Sequence, residues 1–260
     1  MTTGPQGHLR GELRVYGDAE QLARAGAELF VTRAEESIAV RGRFRVALSG
    51  GHTPRRIYEL LGSDAFRSGV DWEKVDFFWG DERYVGADDA QSNYRMTVEA
   101  LLRHVPVSAD NVHRVPTDIA PPSAAAGRYE QDIRHCFHDL SYVPQFDLIY
   151  LGLGSNGHTA SLFPHSPALR EHSRLVVADF VSEVSAWRIT MTAVLLNRGR
   201  TVAFVVEGEQ KANVMRDVLL GTPDPERLPA QLIAPEGTLL WLADEPAARL
   251  LSRAEGRWSA

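Results

Sequence analysis

The sequence predicts an α/β fold, an open and mostly parallel sheet flanked by helices. Three observations point there. Short apolar runs such as Phe44–Leu48, Val75–Trp79 and residues 146–153 are continuous rather than alternating, the pattern of strands buried on both faces. Segments with helical spacing stand between them, as a parallel sheet requires. Glycine-rich or acidic loops follow three of the runs directly.

In chain order, residues 1–14 lack an apolar core and read as a flexible tail of one 260-residue domain. Residues 19–40 set Leu22, Leu29, Phe30 and Ile38 among charges at roughly helical spacing. The strand Phe44–Leu48 ends at Ser49-Gly50-Gly51, and Thr53-Pro54 then offers a helix cap with proline at the first helical position. The strand Val75–Trp79 ends at Gly80-Asp81-Glu82-Arg83, read as a charged loop. Helices are expected over 93–103 and 123–138, with a short strand at 112–115 between them. Residues 146–153 form the most apolar run and lead into Gly152, Gly154 and Gly157. Strands are expected at 175–180, 188–192, 202–206 and 239–242, and helices at 209–220 and 245–252.

Composition narrows the function classes. The net charge of −6 argues against a nucleic-acid partner. One cysteine, Cys136, excludes an intrachain disulfide and fits a reducing compartment. No run approaches the roughly 20 apolar residues of a membrane span, so a cytoplasmic setting is expected. Only two of the 28 basic residues are lysines, Lys74 and Lys211. That scarcity is either coding bias or the mark of a lysine that arginine cannot replace.

Five motifs carry chemistry. Ser49-Gly50-Gly51-His52-Thr53 joins a strand to a helix, where backbone N–H groups and the helix terminus suit a phosphate. No lysine-bearing phosphate loop is present, which disfavours ATP or GTP. Gly152-Leu153-Gly154-Ser155-Asn156-Gly157 matches a dinucleotide fingerprint formally, but Pro164 and Pro167 interrupt the helix that should follow. His158 directly after Gly157 is a candidate general base. Asp81-Glu82-Arg83 offers a base, an orienter for His158 or an anion clamp, against a solvated charge cluster. Gly208-Glu209-Gln210-Lys211 places a lysine near a helix start, within reach of a phosphate. Zinc-ligand spacing is not met: His135-Cys136-Phe137-His138 has no second ligand pair.

Taken together these stretches resemble the 6-phosphogluconolactonases of the glucosamine-6-phosphate deaminase/6-phosphogluconolactonase family. The matching segments are Ala47 to Pro54, Trp79 to Arg83, Ser92 to Arg95, Leu151 to Pro164, Arg188 to Thr192 and Gly208 to Lys211, collinear across about residues 46–243. The Gly-His-Thr-Ala-Ser-Leu-Phe-Pro string from Gly157 is the specific one. The resemblance implies the sheet fold shared by glucosamine-6-phosphate deaminase and ribose-5-phosphate isomerase. It implies hydrolysis of 6-phospho-D-glucono-1,5-lactone in the oxidative pentose phosphate pathway, without metal or organic cofactor.

By residue, it implies phosphate held by Ser49, Gly50, Gly51 and Thr53, with Arg83, Arg188 and Lys211 supplying positive charge. His158 is the implied base, with Asp81 as a second catalytic group and Asn156 orienting the loop. Two departures stand out. Asn156 occupies the place of the usual aspartate, so either Asp81 supplies charge to His158 or His158 is less basic than usual. Ser185-Ala186-Trp187 replaces the usual prolines before Arg188. The alternatives are an amino-sugar-phosphate deaminase or isomerase, which carries a glutamate where this chain has Phe163, and a non-catalytic sugar-phosphate sensor. Oligomeric state is left open between monomer and homodimer.

Overall fold

The computed structural model describes residues 9–137, 142–252 and 257–258. Strand β1 (Glu12–Tyr16) comes first, burying Leu13 and Val15 between its charged neighbours. The expected tail therefore ends earlier: residues 12–14 are laddered to the sheet, and residues 1–8 lie outside the described part. Helix α1 (Ala19–Arg41) begins where Asp18 accepts hydrogen bonds from the amides of Glu20 and Gln21, and stops at Gly42 in a left-handed conformation. Then follow β2 (Phe44–Leu48), α2 (His52–Leu61), β3 (Val75–Trp79), β4 (Asp81–Arg83) and α3 (Asn93–Thr97), which runs on into a wider turn over Val98–Leu102. Helix α4 (Pro122–Cys136) precedes β5 (Leu148–Leu151), β6 (Val176–Val181) and β7 (Ala186–Met191). The chain ends with α5 (Ala193–Leu196), β8 (Thr201–Val206), α6 (Ala212–Leu220), β9 (Thr238–Asp244), α7 (Glu245–Ala248) and β10 (Arg257–Trp258). Helix α4 was expected to reach His138, which lies outside the described residues, and α7 is shorter than the expected 245–252.

Seven strands form one sheet in the order β10-β1-β9-β8-β5-β2-β3, every neighbouring pair parallel. Phe44, Val46, Ala47, Leu48 and all of β3, β5 and β8 are buried, which is why they read as unbroken apolar runs. A second sheet, β4-β7-β6, is antiparallel. The charged segment Asp81–Arg83 is thus a strand rather than the expected loop. Gly80 makes the transfer: its N–H donates to Leu48 O (2.8 Å) in the large sheet, and its carbonyl accepts from the Met191 amide (2.8 Å) in the small one. The expected strand at 112–115 reduces to a single bridge from Val112 to Phe77, since the segment touches the edge strand once and turns at Pro116.

Chain order reverses between β2 and β5. From β2 the chain moves outward to β3; from β5 it moves the opposite way through β8 to β9. Such a switch point opens a crevice at the carboxyl ends of the strands. The loops after β2, β5 and β8 and the strand β4 all meet there.

Candidate active site

That crevice is a cleft of about 690 Å³, and the residues that the resemblance assigns to a site all line it: Ser49, Gly50, Gly51, Thr53, Asp81, Arg83, Asn156, His158, Arg188 and Lys211. They come from separate segments along the chain, so only the fold unites them.

The floor is the β2–α2 loop. Gly51 has φ 110°, and no side chain caps α2, leaving the first amides of the helix directed at the cleft. Gly50 has no room for a Cβ, because the amide of Asn93 fills that space; Asn93 is itself tied to Asp81 O (3.0 Å) and to Glu82. Tyr58, fully buried, both donates to Ser49 O and accepts from Ser49 N, fixing the loop from behind. The Ser49 hydroxyl is buried with no partner. Thr53 departs from expectation: its hydroxyl donates to Glu207 Oε2 (2.9 Å), so the hydrogen expected to reach a phosphate is already committed. Glu207 is drawn to this helix terminus by Arg56 as well, 3.5 Å away.

Strand alternation separates the Asp81-Glu82-Arg83 triplet. Asp81 and Arg83 face the cleft. Glu82 faces away and accepts from the amides of Arg83, Asn93 and Tyr94 and from Ser92 Oγ, capping α3. It is a structural carboxylate. Asp81 accepts from Ser161 Oγ (2.6 Å) and is pushed up by burial, against the pull of Ser161, Arg83 and Arg188. Its side chain is bound to Ser161 and not to His158, so the expected orienting role does not fall to it.

That role is taken by Asn156. His158 Nδ1 lies 2.6 Å from Asn156 Oδ1, and the His158 backbone N–H points at the same oxygen (3.2 Å). Asn156 Nδ2 donates to Glu183 Oε2 (2.7 Å) in the turn between β6 and β7. An amide oxygen only accepts, so Nδ1 carries the proton and Nε2 keeps the free lone pair. Phe163 stacks on the imidazole at 4.1 Å between ring centres, and Gly154 leaves the space the ring occupies. His158 is pushed down to about 4, first by burial and then by Lys211, Arg188 and Arg83. Of the two readings open at Asn156, the geometry favours the less basic histidine, since Asp81 is engaged by Ser161 rather than by the ring.

Among the described residues no ion pair joins Arg83, Arg188 or Lys211, whereas Lys74 pairs with Asp71 at 2.7 Å on the surface. Burial and Arg83 lower Arg188, and burial lowers Lys211. Three half-buried cations face a nearby carboxylate, Asp81, which acts on Arg83 and Arg188 through charge without a direct ion pair; the excess of positive charge favours an anion. Glu183 and Glu207 also line the cleft and were not found from the sequence, since neither sits in a motif and both arrive through tertiary contacts.

Outside the cleft, Asp76, His113 and Cys136 bring their ligand atoms within 4.8 Å of one another. Asp76 is already held by the Arg43 guanidinium through two hydrogen bonds, with Arg45 at 3.6 Å. The Asp76 carboxylate is thus already neutralised by arginine.

Residues 17–241 match the family described as glucosamine-6-phosphate isomerases/6-phosphogluconolactonase. A 6-phosphogluconolactonase from Synechocystis sp. is 43% identical over 217 residues, covering 83% of this chain and 88% of that protein. The structure of 6-phosphogluconolactonase from Trypanosoma cruzi superposes with a TM-score of 0.83 at 28% identity, covering 96% of this chain and 100% of that one. A monomeric glucosamine-6-phosphate deaminase superposes with a TM-score of 0.79 at 19% identity, over 92% and 99% of the two chains, a likeness of fold alone.

Proposed function

The chain belongs to the glucosamine-6-phosphate isomerase/6-phosphogluconolactonase family, and from that premise we propose that it hydrolyses 6-phospho-D-glucono-1,5-lactone to 6-phospho-D-gluconate, in the cytoplasm, as a step of the oxidative pentose phosphate pathway. The observation that carries the reading is the 2.6 Å contact of His158 Nδ1 with the Asn156 amide oxygen, which leaves Nε2 as the accepting nitrogen, in a cleft lined by three cations that form no ion pair among the described residues.

The substrate phosphate sits on the amides of Gly50 and Gly51 and the uncapped start of α2, and Arg188 and Lys211 neutralise it. The unpartnered Ser49 hydroxyl adds a donor at the loop. Thr53 joins them only by exchanging Glu207 for the phosphate. Arg83 contacts the phosphate or the sugar, and Asp81 holds Arg83 and Arg188 in place by charge.

His158 Nε2 takes a proton from water as its oxygen bonds to C1. The tetrahedral intermediate collapses by breaking the bond from C1 to the ring oxygen, which receives the proton back from the imidazolium. Atoms balance with water alone. Such general-base help is typically worth about 10²–10⁴-fold. Phe163 has no proton to move, and its ring walls the imidazole from solvent. That supports lactone opening over an amino-sugar reaction, since a lactone presents an electrophilic carbonyl without prior ring opening. A coupled dehydrogenase assay on fresh lactone, with spontaneous opening subtracted, tests the reading. Turnover supports it, and ammonia release from glucosamine 6-phosphate without lactone turnover would replace it.

A further inference from the structure

We propose that Glu183 is a positioning residue for the reaction, acting through the Asn156 amide to hold His158 in the one tautomer that leaves Nε2 free. The proposal rests on His158 being the base.

An asparagine is an uncertain partner for a histidine, because its amide presents either an oxygen or an NH₂ group. With oxygen toward Nδ1, the imidazole is protonated there and Nε2 accepts. With NH₂ toward Nδ1, the proton moves to Nε2 and the base is lost. Something must choose between these orientations. Glu183 Oε2 lies 2.7 Å from Asn156 Nδ2, and a carboxylate only accepts, so the NH₂ group is drawn to it and the oxygen turns to the ring. The His158 amide at 3.2 Å from the same oxygen is a weaker second lock.

The relay also transmits charge. A carboxylate on the NH₂ side polarises the amide and strengthens its oxygen as an acceptor. When His158 gains a proton in the transition state, that oxygen stabilises the imidazolium against the three cations in the cleft. A residue on the β6–β7 turn thus restores, one amide removed, a negative charge that Asn156 itself lacks.

The experiment compares Glu183→Ala and Glu183→Gln with the unaltered chain, and repeats Glu183→Ala in an Asn156→Asp background. Glu183 is solvent-exposed and Asn156 half-buried, and a thermal melt of each variant checks that it is folded. In the native background, Glu183→Ala lowers kcat about 5- to 30-fold with KM within twofold, and ¹⁵N shifts of the His158 imidazole move from the Nδ1–H form toward a mixture. Glu183→Gln, which keeps an acceptor but not the charge, retains more of both. In the Asn156→Asp background a carboxylate faces the ring directly, and loss of Glu183 costs less than twofold. Unchanged tautomer and kcat in Glu183→Ala, a loss confined to KM, or an equal loss in both backgrounds would each overturn the proposal. The imidazole spectrum needs no turnover. If His158→Ala stayed active while Glu183→Ala still shifted the tautomer, the general-base reading would fail and the positioning contact would stand.

Discussion

Arg83 and Arg188 stand directly opposite one another across the antiparallel β4–β7 pair. Like charges in that register destabilise a sheet, and among the described residues neither forms an ion pair, Asp81 acting on both only through charge. The repulsion is tolerable where an anion spends part of its time between them. Replacing Arg188 by Leu should therefore leave the ligand-free protein as stable or up to about 1 kcal/mol more stable, while KM for the lactone rises at least tenfold. Thermal melts with and without inorganic phosphate check both halves, and the stabilisation by phosphate should shrink in the variant.

The two lysines differ in the same way. Lys74 is an exposed partner of Asp71, a pairing worth little. Lys211 lines the cleft half-buried and, among the described residues, in no ion pair. Lys211→Ala should raise KM tenfold or more with a smaller effect on kcat, and Lys74→Ala should change neither beyond twofold. Equal effects in steady-state kinetics would return the lysine scarcity to coding bias.

His158, pushed down to about 4, is neutral throughout the physiological range. A base acts in its neutral form, so kcat/KM, which reports the free enzyme, falls only as pH drops through about 4, whereas kcat reports the substrate complex and falls at a higher pH. Bound phosphate offsets Lys211, Arg188 and Arg83, which lifts the histidine back toward its ordinary value near 6.5. An NMR titration of the His158 ring should give a midpoint near 4 in the free protein and a higher one with 6-phosphogluconate. Lys211→Ala should also raise the free-protein midpoint.

Gly154 has no side chain because the His158 ring lies where a Cβ would stand. The obstruction is a rotatable ring rather than backbone, so Gly154→Ala should fold with less than about 1 kcal/mol lost. The displaced imidazole should lower kcat tenfold or more. Gly86→Ala, with open space around it, is the matching control and should be silent in both measurements.

Most of the large sheet was legible because β2, β3, β5 and β8 are buried on both faces and show it as unbroken apolar runs. Strand β1 was not, since Leu13 and Val15 alternate with charges over only five residues. The small sheet was hidden for another reason: Asp81–Arg83 pairs with residues more than 100 positions away, and three charged side chains look like a loop. Most cleft residues were legible because they follow β2, β3, β5 or β8 at the carboxyl end, the edge where such sheets bind ligands; Arg188, inside β7, was found through the resemblance instead. What local sequence does not carry is side-chain direction. The turn of Glu82 away from the cleft, the capture of Thr53 by Glu207, and the relay from Glu183 through Asn156 exist only once distant segments meet.

Lactone hydrolysis in this cleft turns on His158 as the base. Turnover of freshly prepared 6-phosphogluconolactone by the native chain and by His158→Ala, each corrected for spontaneous opening, is the direct measurement. The predicted result is a fall in kcat of about 10²–10⁴-fold with KM little changed. A His158→Ala enzyme that kept native turnover would contradict it.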